Sequence, residues 1–460
     1  MKIVVCVRVG ADGEPNPFDA SAYEVALATT GAEVILLSMG AEKTADTLEK
    51  MTRLGASRAI LLCDRAFAGS DTLATAYALS CAIKKLAPDR IICGRKTLIG
   101  DTGQVPPMLA ELLGYDFISN VLSADEKSAV TRDGTWEIKN HSILAVEKQA
   151  VLRLPSLFSR TVTPETMTAD DIGAEKERCG LGGSPTRVLS TSENTSGKRK
   201  CRFIEPSELS AAVSEALRRR REKEMPKIGT EKLARVWSFG EAPLEYAKSV
   251  CENPEILPFM PTREALTLLE ARIKTECPDA LLFGNDEASR EVAARLAAKL
   301  GLGLCADCTA ITAEGGRTVM YRPALSGSLI AKIASNTVPA LATVRSASEE
   351  NSPIIVAAGY GVRSRLEKVR RFAENMGADF AVSRKLTDGG YAPYREQVGL
   401  TGKTVSPAVY IAVGISGAVH HIVGMDRSGT VIAINPDKNA PIFDYADIGI
   451  CCNFEDLEDK

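Results

Sequence analysis

The sequence predicts an α/β protein with parallel sheets, divided into two related α/β domains and a third parallel-sheet domain. Three observations carry this. Short apolar runs alternate with helical segments along most of the chain. Segments of the first half recur in the second. At 460 residues the chain is too long for a single core.

The alternation runs KIVVCVRV, a helix near 20–29, EVILLSMG, a helix near 42–54, AILLCD, a helix near 71–86, and RIICG. Apolar runs of this length read as strands buried on both faces of a parallel sheet. The repeat pairs APDRIICG (87–94) with CPDALLFG (277–284), and MLAELLG (108–114) with ARLAAKLG (294–301). Pro88-Asp89 and Pro278-Asp279 are 190 positions apart, whereas Leu113-Gly114 and Leu300-Gly301 are 187 apart. The first copy therefore carries three extra residues, placed in the loop TLIGDTGQ. RLPSLFSRTV (153–162) also echoes TVPALATVRS (337–346).

Between the copies, residues 179–200 shift to Gly, Ser, Thr and Lys, which reads as a loop or an arm ordered on contact. Residues 205–224 read as a helix started at Pro206 and Ser207, with arginines suiting its C-terminal dipole. RRRR at 218–221 reads as a solvated helix end rather than a nucleic-acid site. MPKIGTEK (225–232) reads as a joint between two halves.

A net charge of −3 gives no global pull toward nucleic acid or membrane. The opening MKIVVCVRVG is a first strand and not a signal peptide, and no apolar run is long enough to span a bilayer. Twelve scattered cysteines, many in apolar strands, suit a reducing cytoplasm. Cys305-Ala-Asp-Cys308 lacks the second pair that a zinc site needs.

The chemistry concentrates at loops. Gly100-Asp101-Thr102-Gly103-Gln104 precedes a helix opened by Pro106 and Pro107, so free amides there plus Thr102 offer an anion site. The Ser70-Asp71-Thr72 loop caps another helix. In the last quarter stand SRKL (383–386), QVGLTGKTVSP (397–407), YIAVGISGAVHH (410–421) and AINPDKNAPIFDYADIGI (433–450). Strand ends carrying Gly, Ser and Asn are where open α/β sheets bind phosphorylated ligands.

These last motifs, in this order, resemble the FAD-binding domain of the electron transfer flavoprotein α subunit. Residues 1 to about 220 resemble the β subunit, so nearly the whole chain resembles a β–α fusion. The resemblance implies two Rossmann-like adenine-nucleotide-type domains plus a C-terminal parallel-sheet FAD-binding domain. It divides the chain at 1–200, an arm and linker at 201–229, then 230–348 and 349–460. The β–α pairing becomes intramolecular.

The resemblance also implies the site residues. Ser383 and Arg384 would lie at the flavin ring, with Gln397, Val398, Gly399, Leu400 and Thr401 forming a loop beside it. Ser416, Gly417, Ala418, Val419, His420 and His421 would follow, with His421 donating to the pyrimidine carbonyl. Asn435 would hold the adenosine side. Asn16, Pro17, Phe18 and Asp19 close the first loop. With Asp101, Thr102, Gly103, Gln104 and Val105 they would hold AMP, or a second FAD.

The chemistry implied is electron transfer from a flavin dehydrogenase to a redox acceptor. A two-FAD, electron-bifurcating NADH oxidiser is the alternative, and a non-redox nucleotide-binding scaffold is a third reading. Three features depart from the family pattern. Tyr360 replaces the arginine of GGRG, with Arg363 as its candidate substitute. Leu400 replaces a glutamine. The partner-recognition segment is cut to residues 159–173. No nucleophilic triad is present, and His141 reads as structural.

Overall fold

The computed structural model describes residues 1–97, 100–131, 133–148, 152–193, 198–218, 231–324, 329–345, 352–399 and 402–458. Two compact units emerge. One comprises Met1–Ser190, Ile228–Arg322 and Ala331–Val344; the other comprises Thr191–Lys227, Pro323–Ile330 and Arg345–Lys460.

The chain opens with β1 (Lys2–Cys6), α1 (Pro17–Ala28), β2 (Glu33–Met39), α2 (Thr44–Thr52), β3 (Arg58–Leu62), α3 (Thr72–Leu86), β4 (Arg90–Gly94) and α4 (Val105–Leu113). It continues through β5 (Asp116–Ala124), β6 (Ser128–Thr131), β7 (Gly134–Glu137), β8 (Ser142–Val146) and β9 (Glu165–Met167). These nine strands form one sheet in the order β7-β6-β5-β8-β4-β1-β2-β3-β9. Next come β10 (Thr186–Glu193), β11 (Arg202–Phe203) and α5 (Leu209–Arg218).

The second copy runs β12 (Val236–Phe239), α6 (Leu244–Val250), β13 (Glu255–Leu257), α7 (Thr262–Glu276), β14 (Ala280–Phe283), α8 (Glu287–Leu300) and β15 (Leu304–Cys308). Then follow β16 (Ala310–Glu314), β17 (Arg317–Ala324), β18 (Leu329–Ser335) and β19 (Ala340–Val344). Its sheet order, β13-β12-β14-β19-β15, repeats β2-β1-β4-β8-β5 of the first copy. β10, β18, β17 and β16 make a separate sheet.

The repeat reaches the backbone. α3 and α7 both end on a left-handed residue ahead of Pro-Asp, Ala87 at φ 46° and Cys277 at φ 41°. α4 and α8 both stop at a left-handed glycine, Gly114 and Gly301, each at φ 69°. Glycine takes that conformation without the Cβ penalty other residues meet, so the chain can turn off the helix there. The two copies share one apolar core in which Met108, Leu109, Val292 and Leu296 are fully buried.

The six-stranded sheet of the other unit is wholly parallel. Its strands β20 (Ile354–Ala358), β21 (Asp379–Val382), β22 (Val409–Val413), β23 (Thr430–Ile434) and β24 (Ile448–Ile450) join β11 in the order β11-β24-β23-β22-β20-β21. Helices α9 (Leu366–Asn375), α10 (Arg384–Asp388), α11 (Val419–Ile422) and α12 (Glu455–Glu458) complete it. Val409–Val413 is buried throughout, as the continuous apolar run predicts. Arg199 ties the arm to this unit. It donates to the carbonyls of Ser428 at 2.6 Å and Gly429 at 2.9 Å, and it pairs with Asp447.

Several sequence expectations change. NPFD is not all loop: α1 starts at Pro17, since proline is preorganised for the first helical turn. Residues 186–193 form the strand β10 despite their loop-like composition. The echo at 153–162 is not structural. Leu154, Leu157 and Phe158 are 90%, 93% and 93% exposed, and β8 takes the place corresponding to β19. β8 is an uninterrupted buried run, SILAV, whereas 153–162 carries two arginines and two serines that a central strand would strand away from water. The helix expected at 205–224 begins as a 3-10 turn at Pro206–Glu208 and is helical to Arg218. The rest of the arginine run (219–221) and residues 225–230 of the joint lie outside the described residues.

Candidate functional site

A cavity of about 800 Å³ opens in the first unit. Its walls come from the C-terminal ends of β1, β2, β3 and β4 and the loops that follow them. The chain crosses from β3 over β1 to reach β4, and such a reversal is where open α/β sheets bind nucleotides.

Four cations line it: Arg8, Arg65, Arg95 and Lys96. Arg95 is ion-paired with Glu147. Lys96 is buried and paired with Asp101 at 2.5 Å. Burial lowers the Lys96 pKa to about 8, with Asp101 opposing the shift. Ser70 and Thr72, near the start of α3, and Thr102, ahead of α4, add hydroxyls. Asp71 caps α3 by accepting from Leu73 and Ala74, both at 3.0 Å.

Asp19 bridges the ends of β1 and β4, accepting from the Arg8 amide at 2.8 Å and the Gly94 amide at 3.0 Å. Burial raises its pKa to about 7, although these amides favour the charged form.

Of the residues expected here, Asp19, Thr102, Gly103, Gln104 and Val105 line the cavity. Asn16, Pro17, Phe18 and Asp101 stand behind that lining. Asn16 donates to the Lys96 carbonyl at 2.9 Å, Phe18 is buried, and Asp101 holds Lys96. Gln104 accepts from Thr72 at 2.7 Å and reaches the Leu304 carbonyl at 3.4 Å, so its side chain braces the loop. The helix-start expectation also shifts. α4 begins at Val105, and Pro106 and Pro107 remove two of its first amide donors, leaving cations as the stronger anion ligands. Sequence reasoning missed Arg8, Arg65, Arg95 and Lys96. The signal available was their place just past three of the first four parallel strands.

In the other unit, loops with the expected flavin residues leave the C-terminal ends of β21, β22 and β23. Ser383 precedes α10, and Arg384 opens it and pairs with Asp388 at 3.2 Å. Val398 donates to the Val382 carbonyl at 3.0 Å, which sets the Gln397–Gly399 segment beside β21. Gln397 is buried and accepts from Thr387 at 2.7 Å. Gly399 sits at φ 141°, and a Cβ there would lie 2.6 Å from the His420 carbonyl oxygen. Leu400 and Thr401 lie outside the described residues.

Ser416, Gly417 and Ala418 lead from β22 into α11, which holds Val419, His420 and His421. Gly417 has φ 92°, and a Cβ there would stand 2.2 Å from the Ile442 nitrogen. Asn435 donates to the Ile415 carbonyl at 3.0 Å and accepts from Asp437 at 2.9 Å, clasping the loops after β22 and β23. A small recess of about 120 Å³ lies beside Gly361, Gly414 and Asn435.

His421 is buried, and its Nε2 is 2.9 Å from the Tyr410 hydroxyl. Burial pushes its pKa down to about 4, so it is neutral at pH 7. Tyr410 is fully buried and its hydroxyl is held well above its usual pKa by burial, so it stays protonated. Arg363, exposed, stacks 4.6 Å from the Tyr360 ring centroid. His141 lies against Tyr115 with ring centroids 5.1 Å apart. Among the described residues, no cluster of three or more His, Cys, Asp or Glu could hold a metal, and no helix is long and apolar enough to cross a membrane.

Residues 3–176 and 257–368 match the electron transfer flavoprotein domain, and residues 349–426 match the electron transfer flavoprotein FAD-binding domain. The chain is 39% identical over 203 residues to electron transfer flavoprotein subunit beta of Thermoanaerobacterium thermosaccharolyticum, covering 40% of this chain and 78% of that protein. It is 34% identical over 220 residues to subunit alpha of Bacillus subtilis, covering 39% of this chain and 68% of that protein. Protein FixB of Azotobacter vinelandii is 36% identical over 241 residues, covering 42% of this chain and 66% of that protein. The chain thus spans about two thirds of the length of the α-type relatives.

Proposed function

The chain belongs to the electron transfer flavoprotein family, joining β-type and α-type portions in one polypeptide, and on that premise we propose that it carries electrons through FAD from a flavin dehydrogenase to a downstream redox acceptor. One observation carries this reading. The wholly parallel sheet of the second unit brings the Ser383-Arg384, Ser416–Ala418 and Asn435 loops to one edge, with Gln397–Gly399 beside β21.

These residues fit a dinucleotide. Gly399 and Gly417 hold backbone so close to neighbouring backbone that no side chain fits, and Ser383, Ser416 and the loop amides offer phosphate donors. FAD, when bound, supplies the one-electron chemistry. The chain's own part is to bind and orient. Arg384 would supply positive charge to a flavin held beside it, which favours the reduced form. Tyr410 fixes the His421 ring, and neutral His421 can present an N–H without adding charge. The division into 1–200, 201–229, 230–348 and 349–460 belongs to this reading. The arm at 201–229 is supported by β11, which belongs to the same unit as the FAD-binding match. A cytoplasmic setting suits the twelve free cysteines.

The first-unit cavity is read as an adenine-nucleotide site, with AMP against Thr102–Val105. A second FAD, making the chain a bifurcating NADH oxidiser, is favoured by a specific observation. The cavity of about 800 Å³ exceeds what a mononucleotide fills and extends to the Cys63–Asp71 loop and the start of α3.

FAD titrated into the stripped chain tests the main reading. Stoichiometric uptake is expected for wild type and loss of uptake for Gly417→Val, with the first unit still folded by circular dichroism. No uptake by the folded wild-type chain would sink it.

A further inference from the structure

Three thiols, Cys6, Cys63 and Cys93, line the first-unit cavity, and the electron-carrier reading uses none of them. Cys6 ends β1, Cys93 sits next to the end of β4, and the two are register partners on adjacent parallel strands. Such partners point to the same face, with strands roughly 4.8 Å apart. That spacing lies within the Cα separation a disulfide spans, about 4.4–6.8 Å.

The side chains meet. Cys6 and Cys93 both belong to the apolar cluster that includes Phe67 and Leu79, and both line the cavity. Asp19 fixes the spacing from above. Its carboxylate accepts from the amides of Arg8 and Gly94, which lie just beyond the two thiols on the same two chain segments. Cys63 follows β3, two strands from β1, and at roughly 10 Å is out of reach.

We infer that Cys6 and Cys93 form a redox-active dithiol on the cavity floor, a modification site that takes low-molecular-weight disulfides as its oxidant. The cavity supplies the approach for a small disulfide. In the first step the Cys6 thiolate attacks one sulfur of the small disulfide. That S–S bond breaks, one small thiol leaves, and Cys6 carries a mixed disulfide. Cys93 then loses its proton and attacks the Cys6 sulfur, and the second small thiol leaves as the Cys6–Cys93 bond forms. Two electrons and two protons pass from the pair, and the small disulfide ends as two thiols. The Cys6 contact and burial push the Cys93 thiol well above its usual pKa, which assigns Cys93 the second step. The inference needs the cavity but not the identity of its nucleotide.

The test exposes the reduced full-length chain to oxidised glutathione, blocks remaining thiols by alkylation and maps the peptides by mass. A reducible crosslink between the Cys6 and Cys93 peptides, two hydrogens lighter than the free pair, is expected. Cys93→Ser should instead leave glutathione on Cys6, and Cys6→Ser should leave Cys93 alkylatable. Wild-type protein in which both thiols remain alkylatable, or in which each carries its own glutathione, would overturn the inference without recourse to any variant.

Discussion

The two repeated copies solve the same junction differently. In the second copy β14 reaches α8 through Gly284, Asn285 and Asp286, and Asp286 caps the helix by accepting from Ser289 at 2.9 Å. In the first copy, ten residues, 95–104, separate β4 from α4. α4 has 9 residues where α8 has 14, so the three extra residues and five that are helical in the second copy make up eight of these ten. The first copy also has β3 and the Cys63–Asp71 segment, which have no counterpart in the second. A nucleotide-sized cavity thus arises from a helix shortened at its start and one added strand, while the shared core is kept. The difference also appears in the ionisable groups: Asp19 and Lys96 are buried around the first junction, with Asp101 paired to Lys96, and a capped turn suffices at the second.

The largest effect should come from breaking the buried pair. Lys96→Met leaves Asp101 buried without its partner, and a loss of about 3–5 kcal/mol is expected in denaturant unfolding of the first unit. An unchanged midpoint would mean that the pair is solvated and that the first copy is no different in kind from the second.

Next, replacing residues 95–104 by the second copy's Gly-Asn-Asp junction should close the cavity. Adenine-nucleotide binding to the first unit should weaken on the order of 100-fold, about 2.7 kcal/mol, in calorimetry. FAD uptake by the second unit should persist. Undiminished nucleotide binding would place the site elsewhere.

Smaller again is a pH response. The folded-state pKa of Asp19 is raised from 3.8 to about 7, so the folded protein binds the extra proton between these values. Its contribution is fully present below pH 3.8 and is lost as pH rises through 7, with a slope up to about 1.4 kcal/mol per pH unit. Asp19→Asn should flatten that slope. His421 acts in the opposite sense in the other unit: its pKa falls from 6.5 to about 4, so stability is lost as pH falls through that window. Unfolding curves from pH 4 to 7, followed by probes in each unit, should diverge, and parallel curves would contradict both assignments.

The smallest effect lies in the second copy. Asp286→Ala removes one helix cap and should cost about 1 kcal/mol without altering nucleotide content.

Much of the fold was legible because buried parallel strands write themselves as apolar runs, as in RIICG and YIAV. The repeat was legible because helix ends demand particular residues: Gly114 and Gly301 appear as glycines in the sequence for the reason they are left-handed in the structure. The apparent echo at 153–162 misled because a shared Leu-Pro or Val-Pro start says nothing about burial, and β8 supplied the buried run. In the site, the glycine-containing loops were readable from their residues. The cations of the cavity were not, because Arg8, Arg65 and Lys96 gain their role from a strand order that no local pattern encodes. Nor did the sequence disclose that Asn435, Gln397 and Gln104 spend their side chains on bracing loops.

The most direct test of the central claim is to denature the purified chain and count the nucleotides it releases. The account predicts one FAD per chain from the second unit, accompanied by AMP or by a second FAD from the cavity. A chain that releases no FAD, and takes up none when FAD is supplied, would contradict the electron-carrier reading.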